Sequence, residues 1–405
     1  MAAIEKRRRR TQDGALGPVR WRGYYRDPQG RQRSRTFARK VDTERWLNSV
    51  LGDIARGDYL DPAGSRTPFG EYSEMWRAAQ VHRATTAQTV ESDLRLHLLP
   101  AFRDQTLGTV RPTQVQAWVK TLSTKLAPAT VERCYRYLAA IFAAAVADDL
   151  IRKSPRRGVT LPSHPAMRVV PWPTESVLLA LRSLPSHYEA MGVLAASTGL
   201  REGELLGLAL PRVDMLRRTV EVVEQMVTVS GRRPFLAPPK TAASVRTVPL
   251  PDVALQALAA HLACRPAVPV ACHRQSPTGG LIEVVEPLIF TTLHGAPVRR
   301  QTFNNAWTDA LVRASLPSGT HFHALRHYYA SMLIAGGEDV KVVQARLGHA
   351  SARETLDTYG HLWPDRDGRT RDVVDALFGA ALSAGAAAHL LPTSSHERRT
   401  ATSEG

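Results

Sequence analysis

Acidic side chains are in short supply. In 405 residues, 37 Asp and Glu stand against 53 Lys and Arg, a formal net charge of +16, with a pI near 10.3. That imbalance points to a polyanionic partner, nucleic acid foremost. Cysteine is scarcer still. Cys134, Cys264 and Cys272 are too few and too scattered for a disulfide framework, so a reducing, cytoplasmic setting is expected. Long apolar runs are missing as well. No window nears the ~18 uninterrupted apolar residues of a membrane span, so a soluble protein with no membrane partner is expected. No apolar stretch follows the charged N-terminus, which argues against a secretory signal. What is present is apolar material at 43%, enough for real cores and too much for a disordered chain. At roughly 150 residues per domain, the length predicts two or three domains.

The positive charge is concentrated. Residues 1–40 hold thirteen Lys and Arg against three acids, so +10 of the total +16 falls in a tenth of the chain. Such clustering suits a surface that displaces counterions from phosphates. Val19 to Arg26 largely alternates apolar and basic residues, the period of a half-buried strand. Asp27-Pro28-Gln29-Gly30 is a turn signal, and Arg31 to Phe37 reads as the returning strand. Asp42 to Arg56 has helical periodicity. The expectation is a small sheet with one arginine-rich face and a helix behind it, with Arg20, Arg22, Arg31, Arg33 and Arg35 as DNA contacts. The alternative is a solvated edge hairpin guarded by its charges.

Residues 67–162 carry helical patterns at 69–80, 86–98, 112–122 and 128–148. Pro128 suits a first-turn position, and Val131, Tyr135, Leu138, Ile141, Phe142 and Ala145 form a core stripe. Residues 152–173 are basic and proline-rich, and 163–173 are read as an extended linker. Residues 174–385 mix helices (252–263, 301–315, 323–335, 338–346) with strand-like runs at Thr219–Val229 and Val245–Leu250. Residues 386–405 read as a disordered tail. The fold class expected is multidomain α+β: a small sheet plus helix over 1–66, an all-α domain over 67–162 and a mixed α/β domain over 174–385.

The third block holds the chemistry. Arg201 and Glu204 stand at i and i+3, so the carboxylate can hold the guanidinium in place. Lys240 lies between two strand-like runs. His323 and Arg326 repeat the i, i+3 spacing, Leu347-Gly348-His349 follows, and Tyr359 comes ten residues after His349. Cations and donors suit the charge on the non-bridging oxygens of a pentavalent phosphate. A tyrosine nearby can be the nucleophile.

The series Arg201-Glu202-Gly203-Glu204, Lys240, His323-Ala324-Leu325-Arg326, Leu347-Gly348-His349 and Tyr359 resembles the tyrosine recombinase (phage integrase) family over roughly 170–370. Ala324 stands where many members carry an acid. The resemblance implies an arm-site-binding sheet at 1–66, a helical core-binding domain at 67–162 and a catalytic domain at 174–385. It implies a site-specific recombinase that integrates or excises a mobile element through a 3′-phosphotyrosine, with no metal or nucleotide cofactor. Tyr359 would attack, Arg201 and Arg326 would clamp the phosphate, and Lys240 would protonate the leaving 5′-oxygen. His323 would act as base or donor, His349 as a further donor, and Glu204 as support. The implied partners are double-stranded DNA attachment sites, a homotetramer on synapsed DNA, and DNA-bending or directionality proteins. The apolar stripe Val373, Val374, Leu377, Phe378 and Leu382 would dock on a neighbouring protomer or pack on its own domain.

Two other functions fit part of the pattern: a non-catalytic DNA-binding regulator on the same fold, and a type IB topoisomerase-like enzyme. The filled set of reactive residues favours the recombinase. His261, Cys264, Cys272 and His273 have zinc-ligand types without zinc-site spacing and read as a loop. His294, His321, His327 and His361 read as capping or packing histidines, and Tyr328 and Tyr329 as core.

Overall fold

A computed structural model describes residues 2–8, 17–57, 59, 61, 63–163, 168–363 and 367–382. The expected tail at 386–405 lies outside the described residues. The chain forms two units, one of Met1–Ala166 with Val229–Gly231, the other of Met167–Thr228 with Arg232–Gly405. Among the described residues no helix is long and apolar enough to cross a membrane.

The first unit opens with an antiparallel sheet in the order β1 (Ala3–Arg7), β2 (Arg20–Arg26), β3 (Gln32–Phe37). The Asp27–Gly30 turn joins β2 to β3; Gly30 adopts φ +79°, and the Asp27 carboxylate accepts the Arg31 N–H at 2.8 Å. Helix α1 (Lys40–Ala55) lies on one face of this sheet. It packs so closely that a Cβ on Gly23 would stand 2.8 Å from Thr43 Cγ2 and 3.1 Å from the Trp46 ring.

The register corrects the expected arginine face. Directly opposed residues of an antiparallel pair point the same way, and Gly23 opposes Arg35 while Tyr25 opposes Arg33. Arg33 and Arg35 therefore share the helix-bearing face. Arg33 is bonded to Asp27 and Asp61, and Arg35 lies over the Phe37 ring at 5.1 Å. Arg20, Arg22 and Arg26 point to the open face, where Arg22 donates to Ser34 Oγ at 2.7 Å. Arg31 falls in the turn, outside β3. Alternation tells which residues share a face; only pairing with β2 tells which face carries the helix. Strand β1, embedded in the basic run, was not expected from the sequence.

The rest of this unit is helical: α2 (Phe69–Ala79), α3 (Ala84–Asp93), α4 (Leu99–Phe102), α5 (Pro112–Ser123) and α6 (Pro128–Ala147). A π-helical turn over Leu94–Leu98 links α3 to α4. Prolines open α5 and α6, where a missing N–H costs nothing. Phe69, Phe102 and Phe142 meet in the core, with ring centroids 5.5–5.7 Å apart. Arg133 of α6 grips the buried Asp93 through two hydrogen bonds of 2.7 and 3.1 Å.

The second unit contains α7 (Thr174–Arg182), α8 (Ser186–Thr198), α9 (Glu202–Leu206), α10 (Asp252–Cys264), α11 (Arg300–Arg313), α12 (Ala324–Ala335), α13 (Val340–Leu347), α14 (Ala352–Tyr359) and α15 (Asp367–Val374). One sheet has the order β4 (Val213–Asp214), β5 (Thr219–Val222), β8 (Arg246–Pro249). The other runs β10 (Leu281–Pro287), β9 (Pro269–Gln275), β7 (Phe235–Ala237), β6 (Gln225–Val227), with β7 and β9 parallel. The single strand-like run at Thr219–Val229 is thus two strands in different sheets. The segment read as a loop around Cys264 and Cys272 is the end of α10 followed by β9. Helix α8 is buried nearly throughout and serves as the centre of this unit's core.

The register yields a test. Gly23→Val should lower stability by about 1–3 kcal/mol through overpacking against α1. Thr36→Val, opposite Arg22 on the open face, should change it by less than about 0.5 kcal/mol. Denaturant midpoints of the two variants check the assignment of faces.

Candidate active site

Two helix ends frame the site. Helix α8 stops at Gly199, whose φ of +65° favours glycine, and a Cβ there would lie 2.4 Å from Tyr329 Cδ1. Helix α13 stops at Gly348, with φ +64° and a prospective Cβ 3.1 Å from the Ala243 carbonyl oxygen. Arg326, from α12, joins the two ends. Its Nη1 donates to the Gly199 carbonyl at 2.7 Å and its Nη2 to the Leu347 carbonyl at 2.5 Å. Carbonyls at helix C-termini carry partial negative charge, so a cation belongs there. Burial, and then the neighbouring Arg201, push the Arg326 pKa down to about 9, which leaves it charged at neutral pH.

Arg201 opens α9. Its main-chain N–H donates to Glu204 Oε2 and its Nη1 to Glu204 Oε1, both at 2.9 Å. Arg246 of β8 approaches the same carboxylate with Nη1 at 3.1 Å and Nη2 at 2.9 Å, and its Nε donates to the Arg346 carbonyl at 2.9 Å. Burial alone would raise the Glu204 pKa. The Arg246 hydrogen bonds and the Arg246 and Arg201 charges outweigh it and hold the carboxyl below its ordinary value. Ser244 Oγ donates to the Gly348 carbonyl at 3.3 Å, tying the β8 approach to the α13 end.

The aromatic rings form a chain. His323 and His327 meet edge-on, with centroids 4.8 Å apart. His327 Nδ1 is 2.8 Å from the Tyr359 hydroxyl, and the His349 ring lies parallel to the Tyr359 ring at 6.4 Å. His349 Nδ1 is 2.9 Å from Thr355 Oγ1. Loss of water around the ring, then His327 and Arg326, push His323 down to about 4, although part of its surface reaches solvent. Burial, then Arg326 and Arg201, push His349 to about 3. Burial and Arg326 also lower His327. All three imidazoles are neutral at pH 7. Tyr359 is only 1% exposed, and burial raises its phenol to about 12 against the opposing pull of Arg326.

The fold thus gathers Arg201, Glu204, His323, Arg326, His349 and Tyr359 into one connected cluster. Lys240 lies in the exposed segment between β7 and β8 and lines a cleft with Arg201, Gly348 and Glu354. Arg20, Arg22, Arg31, Arg33 and Arg35 belong to the other unit. Sequence reasoning missed Arg246, Ser244 and Thr355, and it read His327 as a packing residue, whereas the structure places it on the Tyr359 hydroxyl. The i, i+4 spacing of His323 and His327 on one helix was the available signal.

Among the described residues, one trio brings metal-ligand atom types together: Asp93, His97 and Cys134 of the first unit. Both Asp93 oxygens already hold Arg133, and burial, then Asp93, push the Cys134 thiol to about 12. That trio is better fitted to packing than to a cation. His261, Cys264, Cys272 and His273 do not gather as a ligand set among the described residues; His261 Nε2 instead faces the Ile289 carbonyl at 3.1 Å.

Cations around a buried phenol suit phosphoryl transfer, and comparison with known proteins places the chain in a family. The phage integrase family profile matches residues 174–366, and that of the phage integrase N-terminal SAM-like domain matches 68–123. The chain is 27% identical over 359 residues to the prophage phiRv2 integrase of Mycobacterium tuberculosis, covering 86% of this chain and 90% of the relative. It is 24% identical over 344 residues to the integrase of Mycobacterium phage D29, covering 80% and 84%. In fold it is similar to the Tn1549 transposon integrase in complex with transposon right end DNA, with a TM-score of 0.63 and 22% identity over 77% of this chain and 99% of that one. A lambda integrase tetramer bound to a Holliday junction gives a TM-score of 0.54 and 16% identity over 82% and 94%. The chain belongs to the phage integrase family, the tyrosine recombinases. It is an enzyme of DNA strand breakage and rejoining, a site-specific recombinase.

The shared carboxylate yields a test of the site's framework. Glu204→Gln should cost about 3–5 kcal/mol, because Arg201 and Arg246 lose their buried counter-charge. The folded-state pKa of Glu204 is lowered, so its stabilisation is present above the unfolded carboxyl value near 4.3 and is lost as pH falls through the folded value. The stability gap between wild type and variant should therefore be widest at neutral pH, begin to narrow near the unfolded carboxyl value and close as pH falls through the lower folded value, read from denaturant midpoints along a pH series.

Proposed function

We propose that this recombinase integrates and excises a mobile element by attack of Tyr359 on a scissile phosphate, leaving a 3′-phosphotyrosine and a free 5′-hydroxyl. The reading rests on one observation: Tyr359 shares a connected cluster with two guanidiniums, Arg201 and Arg326, each steadied by carbonyl or carboxylate partners. In the proposed mechanism both arginines neutralise the non-bridging oxygens. Lys240, on the cleft rim, protonates the leaving 5′-oxygen. Glu204 and Arg246 set the position of Arg201. His323 and His349, neutral at pH 7, serve as hydrogen-bonding groups toward the reacting phosphate. The 5′-hydroxyl of the partner strand then reverses the step, so the phosphodiester energy is kept in the covalent link.

In the same reading, residues 1–66 bind a distal arm site, 67–162 hold the core site and 174–385 carry out cleavage. Double-stranded attachment sites are the substrates, and a homotetramer on synapsed DNA is the working assembly, with DNA-bending or directionality proteins as accessories. The lambda integrase tetramer bound to a Holliday junction, similar in fold, supports this stoichiometry by analogy. Val373, Val374, Leu377, Phe378 and Leu382 are all exposed, with Leu377 at 73%. An apolar stripe left open in this way suits docking on a neighbouring protomer.

Tyr359→Phe should abolish covalent adduct formation on a nicked suicide substrate while leaving core-site affinity unchanged. Arg201→Ala and Arg326→Ala should each slow adduct formation by about 10²–10³, the usual loss for an oxyanion donor. An adduct formed by the Phe variant would assign the attack to another residue.

The faces of the N-terminal sheet divide its arginines by role. Arg20→Ala and Arg22→Ala, on the open face, should each weaken arm-site binding and reduce the log-log salt slope by about one. Arg33→Ala should instead leave the salt slope unchanged and loosen the fold of the block, because Asp27 and Asp61 lose their partner. Gel shifts across a salt series, paired with limited proteolysis, separate the two outcomes.

A further inference from the structure

A phenol cannot attack phosphorus while it keeps its proton, and the site must hold a group to take it. The family resemblance implies that His323 acts as base or donor. The geometry points elsewhere. The His323 ring meets His327 edge-on rather than the phenol. His349 lies parallel to the Tyr359 ring, and its Nδ1 is engaged with Thr355 Oγ1 at 2.9 Å. The Tyr359 hydroxyl itself is 2.8 Å from His327 Nδ1, hydrogen-bond distance for a proton in transit.

Resting on the reading of Tyr359 as nucleophile, we propose that His327 is its general base. As Oη bonds to phosphorus, the Oη–H bond breaks and the proton moves to His327 Nδ1. The P–O5′ bond breaks, and the leaving oxygen takes a proton from Lys240. In rejoining, the charges run backwards: the protonated His327 returns its proton to Tyr359 as the phosphotyrosine bond breaks.

The proposal requires one tautomer. A neutral imidazole that accepts at Nδ1 carries its proton on Nε2. The titratable and charged groups facing His327 are His323 and Arg326 from its own helix and Tyr359 from α14. Burial and Arg326 keep His327 below its ordinary 6.5, which favours the neutral ring that a general base must be. A phenol near 12 does not surrender its proton to such an imidazole at rest. Transfer must accompany formation of the O–P bond, as general-base catalysis requires. A resting phenolate is thereby avoided, and the nucleophile is activated only when a phosphate is in place.

Single-turnover adduct formation on a nicked suicide substrate tests this. His327→Ala should slow the full-length protein by about 10²–10⁴, with unchanged melting and core-site affinity, and its residual rate should climb about tenfold per pH unit as hydroxide replaces the base. A 5′-bridging phosphorothioate, whose leaving sulfur needs no proton, should rescue Lys240→Ala and not His327→Ala. A wild-type rate in His327→Ala, or its rescue by the sulfur substrate, would overturn the proposal. If that variant does not fold, ¹⁵N spectra of the intact wild type decide: an Nε2–H tautomer whose Nδ1 signal moves in Tyr359→Phe supports it, and a proton on Nδ1 overturns it. An adduct formed by Tyr359→Phe would bring down the nucleophile reading and this inference together. A dead Tyr359→Phe beside a fully active His327→Ala would bring down this inference alone.

Discussion

Glu204 is almost wholly buried and lies between two guanidiniums, Arg201 and Arg246, while Arg326 is held nearby by the carbonyls of Gly199 and Leu347. These three cations and one carboxylate sum to two positive charges in a partly buried place. Such an excess destabilises the resting protein and is tolerated because main-chain oxygens absorb part of it. It also matches the reaction. A phosphodiester carries one negative charge, and its pentavalent state carries about two, so the surplus is closer to the transition state than to the substrate.

The histidines fit this balance by adding no charge. His323, His327 and His349 are all held neutral at pH 7, largely by loss of water and by the nearby arginines. A protonated imidazole here would raise the surplus before DNA arrives. The two glycines at the ends of α8 and α13 do the corresponding work for the backbone. At Gly199 and Gly348 a left-handed turn presents carbonyls to Arg326 and Arg201 that a continuing helix would have used internally.

Much of the site was legible because its chemistry is written in short local spacings. Arg201 with Glu204, and His323 with Arg326, each sit within one helical turn, and Tyr359 follows Leu347-Gly348-His349 at fixed distance. Arg246 was not legible, since it reaches Glu204 from a strand 42 residues further along the chain. His327 was visible as a helical neighbour of His323, but its partner lies 32 residues away on α14. Helices with strong periodicity, such as Pro128–Ala147, were read nearly to the residue. Strands fared less well. Strand β1 is masked by its charges, β5 and β6 form one strand-like run that the fold splits between sheets, and the side of the hairpin that carries α1 depends on a register that no single strand contains.

That register gives the Asp27–Gly30 turn an importance out of proportion to its size. Successive side chains of a strand alternate between faces, so one residue added or removed in the turn would exchange every side chain of β3 between the two. Phe37 would leave the ring of Trp46, and Ser34 and Thr36 would come to lie under α1. Sequence drift in this block is therefore constrained in a particular way: residues on the open face can be exchanged without disturbing the packing under α1, but the length of the turn cannot change without inverting the surface that those exchanges act on.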